Sequence, residues 1–201
     1  MRVGLLHPGE MGAAIGALLV DRGHDVLWCP QGRSEATARR ATAAGLRGVD
    51  HVLDAEAILS VCPPHAALDV ARSLAGTSAL VIDANAVSPM TADRIGELIG
   101  DRWADGGIVG PPPRREGTTR LYLSGHHAVE ASLLFEGTLL GARGPRRLTG
   151  GRVRTEDGVR RMDQGLGGTA VVRARQRASD GGRRGTPSRV EALATRARRS
   201  F

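Results

Sequence analysis

One stretch constrains the fold of this chain more than any other: Val3-Gly4-Leu5-Leu6-His7-Pro8-Gly9-Glu10-Met11-Gly12. Arg2–Leu6 reads as a short apolar strand. Glu10–Arg22 carries Met11, Ile15, Leu18 and Leu19 at helical spacing. The glycines therefore fall where a strand turns directly into a helix. A pyrophosphate can approach the backbone at such a turn, because the first helical N–H groups lack partners and the helix dipole favours an anion. The usual spacing is G-x-G-x-x-G. Here Gly9 and Gly12 hold the second and third positions and His7 the first. Gly9 would admit the phosphates and Gly12 would let the helix pack on the strand. His7 must adopt a turn conformation while Pro8 restricts its ψ to the extended region. By itself the motif is also compatible with a plain strand-to-helix turn.

The rest of residues 1–143 keeps the same rhythm. Strands are expected at Asp25–Trp28, Ala57–Val61, Ala79–Asp83, Trp103–Val109, Leu121–Ser124 and Thr138–Ala142. Helices are expected from Ser34 to Ala44, His65 to Ala75, Pro89 to Ile99 and His127 to Phe135. Gly23 and Gly45 stand where helices stop, Ser34 and Ser88 are N-caps, and Pro89 suits the first helical position. Strands alternating with helices of this length imply an α/β fold, a doubly wound, mostly parallel sheet covered on both faces. Residues 1–143 suffice for an independent core.

Charge divides the chain at the end of that pattern. Of the 201 residues, 28 are basic and every one is arginine; lysine is absent. Residues 1–143 hold 13 Arg against 16 Asp and Glu, whereas residues 144–201 hold 15 Arg against 5 acids and ten glycines. The net charge of +7 thus belongs to an Arg/Gly-rich tail, 144–201, expected to be basic and disordered. Without lysine, Schiff-base chemistry and lysine phosphate grips are excluded. Two cysteines, Cys29 and Cys62, cannot make a disulfide scaffold and point to a reducing cytoplasm. No apolar run reaches the length of a membrane span.

His7-Pro8-Gly9-Glu10-Met11-Gly12, followed by Gly23-His24-Asp25-Val26, resembles the N-terminus of the 6-phosphogluconate dehydrogenase and β-hydroxyacid dehydrogenase superfamily. Val61-Cys62-Pro63-Pro64 resembles that family's loop after the fourth strand, near the cofactor. Asp83-Ala84-Asn85-Ala86-Val87-Ser88-Pro89 resembles its D-x-S-T-x-S-P substrate loop, with Asn85 and Ala86 in place of Ser and Thr. Asp105-Gly106-Gly107-Ile108-Val109-Gly110 resembles its D-A-P-V-S-G stretch. The four motifs occur in family order across residues 1–143. The resemblance implies a Rossmann-type domain and NAD(P)-dependent oxidation or reduction of a small hydroxy acid or carbonyl. Hydride would move between substrate carbon and nicotinamide. It implies cofactor contacts from His7, Pro8, Gly9, Glu10, Met11, Gly12, Cys62, Pro63 and Pro64, and a substrate side shaped by Asn85 and Gly110. Asn85 is equally readable as a turn former, and Cys62 as a packed loop residue with no paired base.

The end of the second strand usually carries a carboxylate for the ribose hydroxyls of NAD. After Trp28 this chain reads Cys29-Pro30-Gln31-Gly32-Arg33-Ser34. Arg33 and Ser34 are suited to a 2′-phosphate, so NADP is expected over NAD.

The family's second half is an all-helical domain that closes the cleft, makes the dimer and carries a catalytic lysine. This chain offers neither lysine nor an apolar helix bundle, so impaired turnover and loss of that dimer interface are expected. A non-enzymatic nucleotide-binding or sensor module is the alternative. The tail also suits a nucleic-acid arm through its arginines, but it lacks interleaved aromatics for base stacking. The genetic code supports a different origin. Read one base forward, Met162-Asp163 (ATG-GAY) yields TGG, tryptophan without ambiguity. Glu156-Asp157 and Gln164-Gly165 each yield Lys or Arg. With free third bases, Val153 through Gly165 can encode Ser-Ala-Leu-Lys-Met-Ala-Tyr-Ala-Ala-Trp-Thr-Lys-Gly. That is a lysine-bearing apolar helix, and it points to a frameshift near Arg143-Gly144.

Overall fold

A computed structural model of the chain describes residues 1–144 and, beyond them, three short strands within 146–161. The chain opens with β1 (Arg2–Leu6), α1 (Glu10–Asp21), β2 (Asp25–Trp28), α2 (Glu35–Ala43), β3 (Arg47–Gly48) and β4 (Ala57–Ser60). A 3₁₀ turn at Pro64–Ala66 leads to α3 (Ala67–Ser73), β5 (Leu80–Asp83) and α4 (Pro89–Ile99). Then come β6 (Trp103–Val109), β7 (Arg120–Ser124), α5 (Ala128–Leu133) and β8 (Gly141–Arg143).

These eight strands form one sheet in the order β3-β2-β1-β4-β5-β6-β7-β8. Strands β1 to β6 are parallel, β7 runs antiparallel to β6, and β8 runs parallel to β7. The architecture is the α/β, Rossmann-type doubly wound sheet expected from the alternation. Successive strand residues feed opposite faces. Val3, Leu5, Leu59 and Ile82 pack with Ile15 and Leu19 of α1, whereas Ile58 and Val81 pack with Ala71 of α3 and Ile95 of α4. Burial on both faces explains why β4 and β5 are apolar up to their last residues, Ser60 and Asp83. Each such Ile or Leu contributes about 1.5–3 kcal/mol relative to exposure. Gly16 lets α1 settle on the sheet, since a Cβ there would stand 2.9 Å from the side chains of Leu5 and Leu46.

Differences from expectation have local causes. The two-residue β3 carries no period to read; it pairs Leu27 with Arg47 and is clamped by Arg47 donating to both Asp25 oxygens at 3.0 and 2.6 Å. The helix expected over His65–Ala75 divides, because the Pro63-Pro64 pair starts a 3₁₀ turn before α3. The strand expected from Thr138 begins at Gly141, because the Thr138 hydroxyl binds the Phe135 carbonyl at 2.8 Å and accepts from the Leu140 N–H at 3.2 Å.

Beyond Gly144, β9 (Arg146–Leu148), β10 (Arg152–Thr155) and β11 (Gly158–Arg161) form a separate antiparallel sheet in the order β11-β10-β9. These strands, of three or four residues each, are too short for a period to show in the sequence. The rest of the expected disordered tail, and the codons of Met162 and Gln164 in the frameshift reading, lie outside the described residues.

Candidate functional site at the sheet's carboxyl edge

Strand order reverses between β1 and β4, and in open α/β sheets ligands bind outside the carboxyl ends of the strands at such a switch. The site residues read from sequence come to this edge. His7 to Gly12 follow β1, Arg33 and Ser34 follow β2, Cys62 to Pro64 follow β4, Asn85 follows β5 and Gly110 follows β6.

The turn after β1 is tight. His7 takes φ of +63°, the positive φ that the missing first glycine would have supplied. Its carbonyl accepts the Gly9 N–H at 2.7 Å, folding the loop onto itself. A Cβ on Gly12 would lie 2.6 Å from that same carbonyl oxygen, whereas a Cβ on Gly9 would meet nothing nearer than 4.0 Å. Gly12 is thus required by packing, and Gly9 leaves the outer side of the turn open. Gly9 is also the N-cap of α1 and supplies no capping side chain. By contrast, Ser34 caps α2 through the Thr37 N–H at 3.3 Å and Ser88 caps α4 through the Thr91 N–H at 3.2 Å. The N-terminus of α1 therefore keeps donors and positive dipole for an outside anion. The acidic Glu10 stands at its mouth, beside a cavity of about 460 Å³ that is also lined by Pro111, Pro112, Arg114, Arg115 and Thr118.

Arg33 reaches over this edge. Its charge helps depress the pKa of His7, after burial, and acts on Cys62 in the opposite loop. Burial pushes the Cys62 thiol up, which suits a packed residue rather than a nucleophile. Ser34 spends its acceptor on the helix cap. Arg40, overlooked in the sequence, reaches from α2 to the Pro8 carbonyl at 3.5 Å and to the Thr37 hydroxyl at 3.2 Å. The spacing Ser34, Thr37, Arg40 on one helical face was its signal.

Asn85 is buried, 3% exposed. Its Oδ1 accepts the Cys62 backbone N–H at 2.6 Å, and its Nδ2 donates to Ser60 Oγ at 3.0 Å and to Asp83 Oδ1. Asn85 thereby ties the loop after β4 to the loop after β5. Asp83 is 2% exposed and its Oδ2 has no hydrogen-bond partner. Burial, reinforced by the neighbouring Asp105 charge, pushes its carboxyl up to about 7. Asp105 is raised too, chiefly by burial, against the Ser124 hydroxyl that donates to it at 3.2 Å. In the sequence the two carboxylates stand only as the first residues of their motifs; the signal for Asp83 is an Asp ending the apolar run Leu80-Val81-Ile82. Gly110 takes φ of +125°, and a Cβ there would collide with the Thr118 carbonyl. Gly110 thus lets the Pro/Arg loop double back. His127 occupies the N-cap position of α5 without a capping hydrogen bond and, half-buried, pairs with Glu130 at 2.8 Å, whereas His126 is exposed. Among the described residues no group of three His, Cys, Asp or Glu is placed to hold a metal, and no helix is long and apolar enough to cross a membrane.

No family model matches the chain, nor does any curated protein sequence. Solved structures do match. A conserved protein of unknown function, described as structurally similar to 3-hydroxyacid dehydrogenases, aligns with a TM-score of 0.66 and 27% identity over 73% of this chain and 58% of its own. The eight-stranded sheet and its helices have the fold of the NAD(P)-dependent oxidoreductase superfamily. An imine reductase of Streptomyces aurantiacus shares the oxidoreductase fold at a TM-score of 0.54 and 24% identity, over 72% of this chain and 56% of its own. The prephenate dehydrogenase of A. aeolicus, solved with hydroxyphenyl propionate and NAD+, does so at 0.59 and 15%, over 72% and 58%. The chain therefore spans little more than half the length of these oxidoreductases.

Proposed function

We propose that residues 1–143 bind a nicotinamide dinucleotide across the β1/β4 switch, with NADP preferred to NAD. One observation carries the reading: an uncapped helix N-terminus, with an open glycine at its cap, stands at the switch point of the sheet. Backbone groups of Gly9, Glu10, Met11 and Gly12 would take the pyrophosphate, beside His7 and Pro8. Arg33 and Ser34, with no carboxylate between Cys29 and Ser34, would take a 2′-phosphate. Val61 to Pro64 and Asn85 would flank the nicotinamide, and Gly110 the substrate. The bound dinucleotide supplies hydride chemistry; the chain's own residues orient it and exclude water. The substrate class is a small hydroxy acid or carbonyl, in a protein of the cytoplasm.

Turnover is a separate matter. The chain has no lysine to handle the hydroxyl proton, and general acid–base help of this kind is worth roughly 10²–10⁴ in rate. We infer a domain that binds cofactor with little or no turnover, followed by a tail, 144–201, that arises from a frameshift. Titration of the purified chain with NADPH and NADH tests the first point: saturable binding, tighter for NADPH, is expected, and no binding of either overturns it. The nucleotide sequence across codons 140–170 tests the second. A transcript with no lysine-bearing helix one base away refutes the frameshift.

A further inference from the structure

The orientation of the Asn85 amide is dictated by its neighbours. A backbone N–H only donates, so the atom facing Cys62 N–H must be Oδ1. The amide nitrogen then faces inward and needs acceptors, which Ser60 Oγ and Asp83 Oδ1 provide. Ser60 in turn passes its own proton toward Cys62 Sγ at 3.9 Å. Asp83 is register partner to Asp105 on the adjacent parallel strand, so the two carboxyls emerge side by side on one face of the sheet. Asp83 is buried and Asp105 half-buried, and Asp83 Oδ2 is without a partner. Two carboxylates this close in register, one of them buried, resist ionising together.

We propose that Asp83 is a positioning residue: its carboxyl, paired with that of Asp105, holds the Asn85 amide in the one orientation that joins the loops after β4 and β5, and so sets the floor of the crevice. The inference rests on the dinucleotide reading for its functional consequence, but not for the latch itself. The groups facing the pair are Asp105 on β6, Asn85 after β5, Ser60 on β4, Ser124 on β7 and Asp93 on α4, with Cys62 beyond the amide; no arginine or histidine is among those acting on Asp83. With Asp83 protonated, its Oδ1 accepts from the Asn85 amide as a neutral oxygen. Once Asp83 ionises, that oxygen becomes the stronger, charge-assisted acceptor while the Asp105 charge on β6 opposes the ionisation, so the amide senses the protonation state of Asp83.

The test uses the ¹⁵N-labelled full chain without cofactor, following the Asn85 side-chain amide by NMR against pH. The peak pair, identified by its loss in Asn85→Ala, is expected to shift with a midpoint near neutrality. Asp105→Asn should move that midpoint down. Asp83→Asn, which mimics the protonated carboxyl, should keep the amide protected and abolish its titration. A second arm measures NADPH affinity. Asn85→Ala and Asp83→Ala should weaken it about tenfold, the scale of one or two net hydrogen bonds, and Asp83→Asn should restore it without pH dependence. An Asn85 amide indifferent to pH, or a midpoint unmoved by Asp105→Asn, overturns the latch even where NADPH binds. A titrating amide in a chain that binds no NADPH leaves the latch standing and overturns the dinucleotide reading instead.

Discussion

The carbonyl oxygen of His7 lies 2.6 Å from the point where a Cβ on Gly12 would stand. Because the obstacle is backbone and not the tip of a side chain, the turn after β1 or the first turn of α1 would have to move. Gly12→Ala should therefore cost about 1–3 kcal/mol of stability, as overpacking does, and should weaken NADPH binding at the same time. Urea unfolding and a fluorescence titration on the same preparation would show both. An unchanged midpoint with unchanged affinity would mean that the turn is softer than the close approach implies.

His7 itself holds φ at +63° with its Nδ1 buried and unpartnered. Glycine adopts that conformation without the Cβ penalty. His7→Gly is expected to stabilise the fold by roughly 0.5–1 kcal/mol. His7→Ala keeps the Cβ at positive φ and should give no such gain. Thermal unfolding of the three proteins separates backbone relief from loss of the ring, and equal behaviour of the two variants would refute the strain argument.

The architecture was legible because parallel strands buried on both faces are near-continuous apolar runs that alternate with helices, as at Ala57-Ile58-Leu59 and Leu80-Val81-Ile82. The caps were legible for the same kind of reason, since Ser34 and Ser88 act on the N–H groups three residues ahead. What escaped were features with no local period. Strand β3 is held by cross-strand pairing to Leu27 and Trp28 and by the Arg47–Asp25 clamp. The Asp83, Asn85, Ser60, Cys62 network draws on two loops and two strands separated in sequence. Arg40 meets the glycine loop across 32 positions of sequence. Such contacts are consequences of the sheet order, and the order becomes visible only once the strands are assembled.

Two arginines near the glycine loop should separate by experiment. Arg33 stands over the crevice without a tie to the loop's backbone, so Arg33→Ala should weaken NADP about tenfold, one charged hydrogen bond's worth, and leave NAD unchanged. Arg40 supports the Pro8 carbonyl, so Arg40→Ala should weaken both dinucleotides by the same factor. Isothermal titration of each variant with both cofactors decides. Equal losses for Arg33→Ala, or tighter NAD than NADP in the parent chain, would remove the case for a 2′-phosphate site there.

Stability should also depend on pH through Asp83. Its folded pKa of about 7 lies above the ordinary value of 3.8. Between those values the folded chain holds a proton that the unfolded chain has released, so this group's contribution is full below pH 4 and is lost progressively up to pH 7. Asp105, also raised, acts in the same direction. Asp25 and Glu130, lowered chiefly by their hydrogen bonds to Arg47 and His127, act oppositely at lower pH. The difference between the parent chain and Asp83→Asn isolates the buried group from these surface pairs. That difference should grow from pH 4 to pH 7 in favour of the variant, reaching on the order of 4 kcal/mol, and then stay level. Denaturant unfolding at fixed ionic strength across that range measures it, and a difference independent of pH would show that Asp83 ionises as readily in the fold as in the open chain.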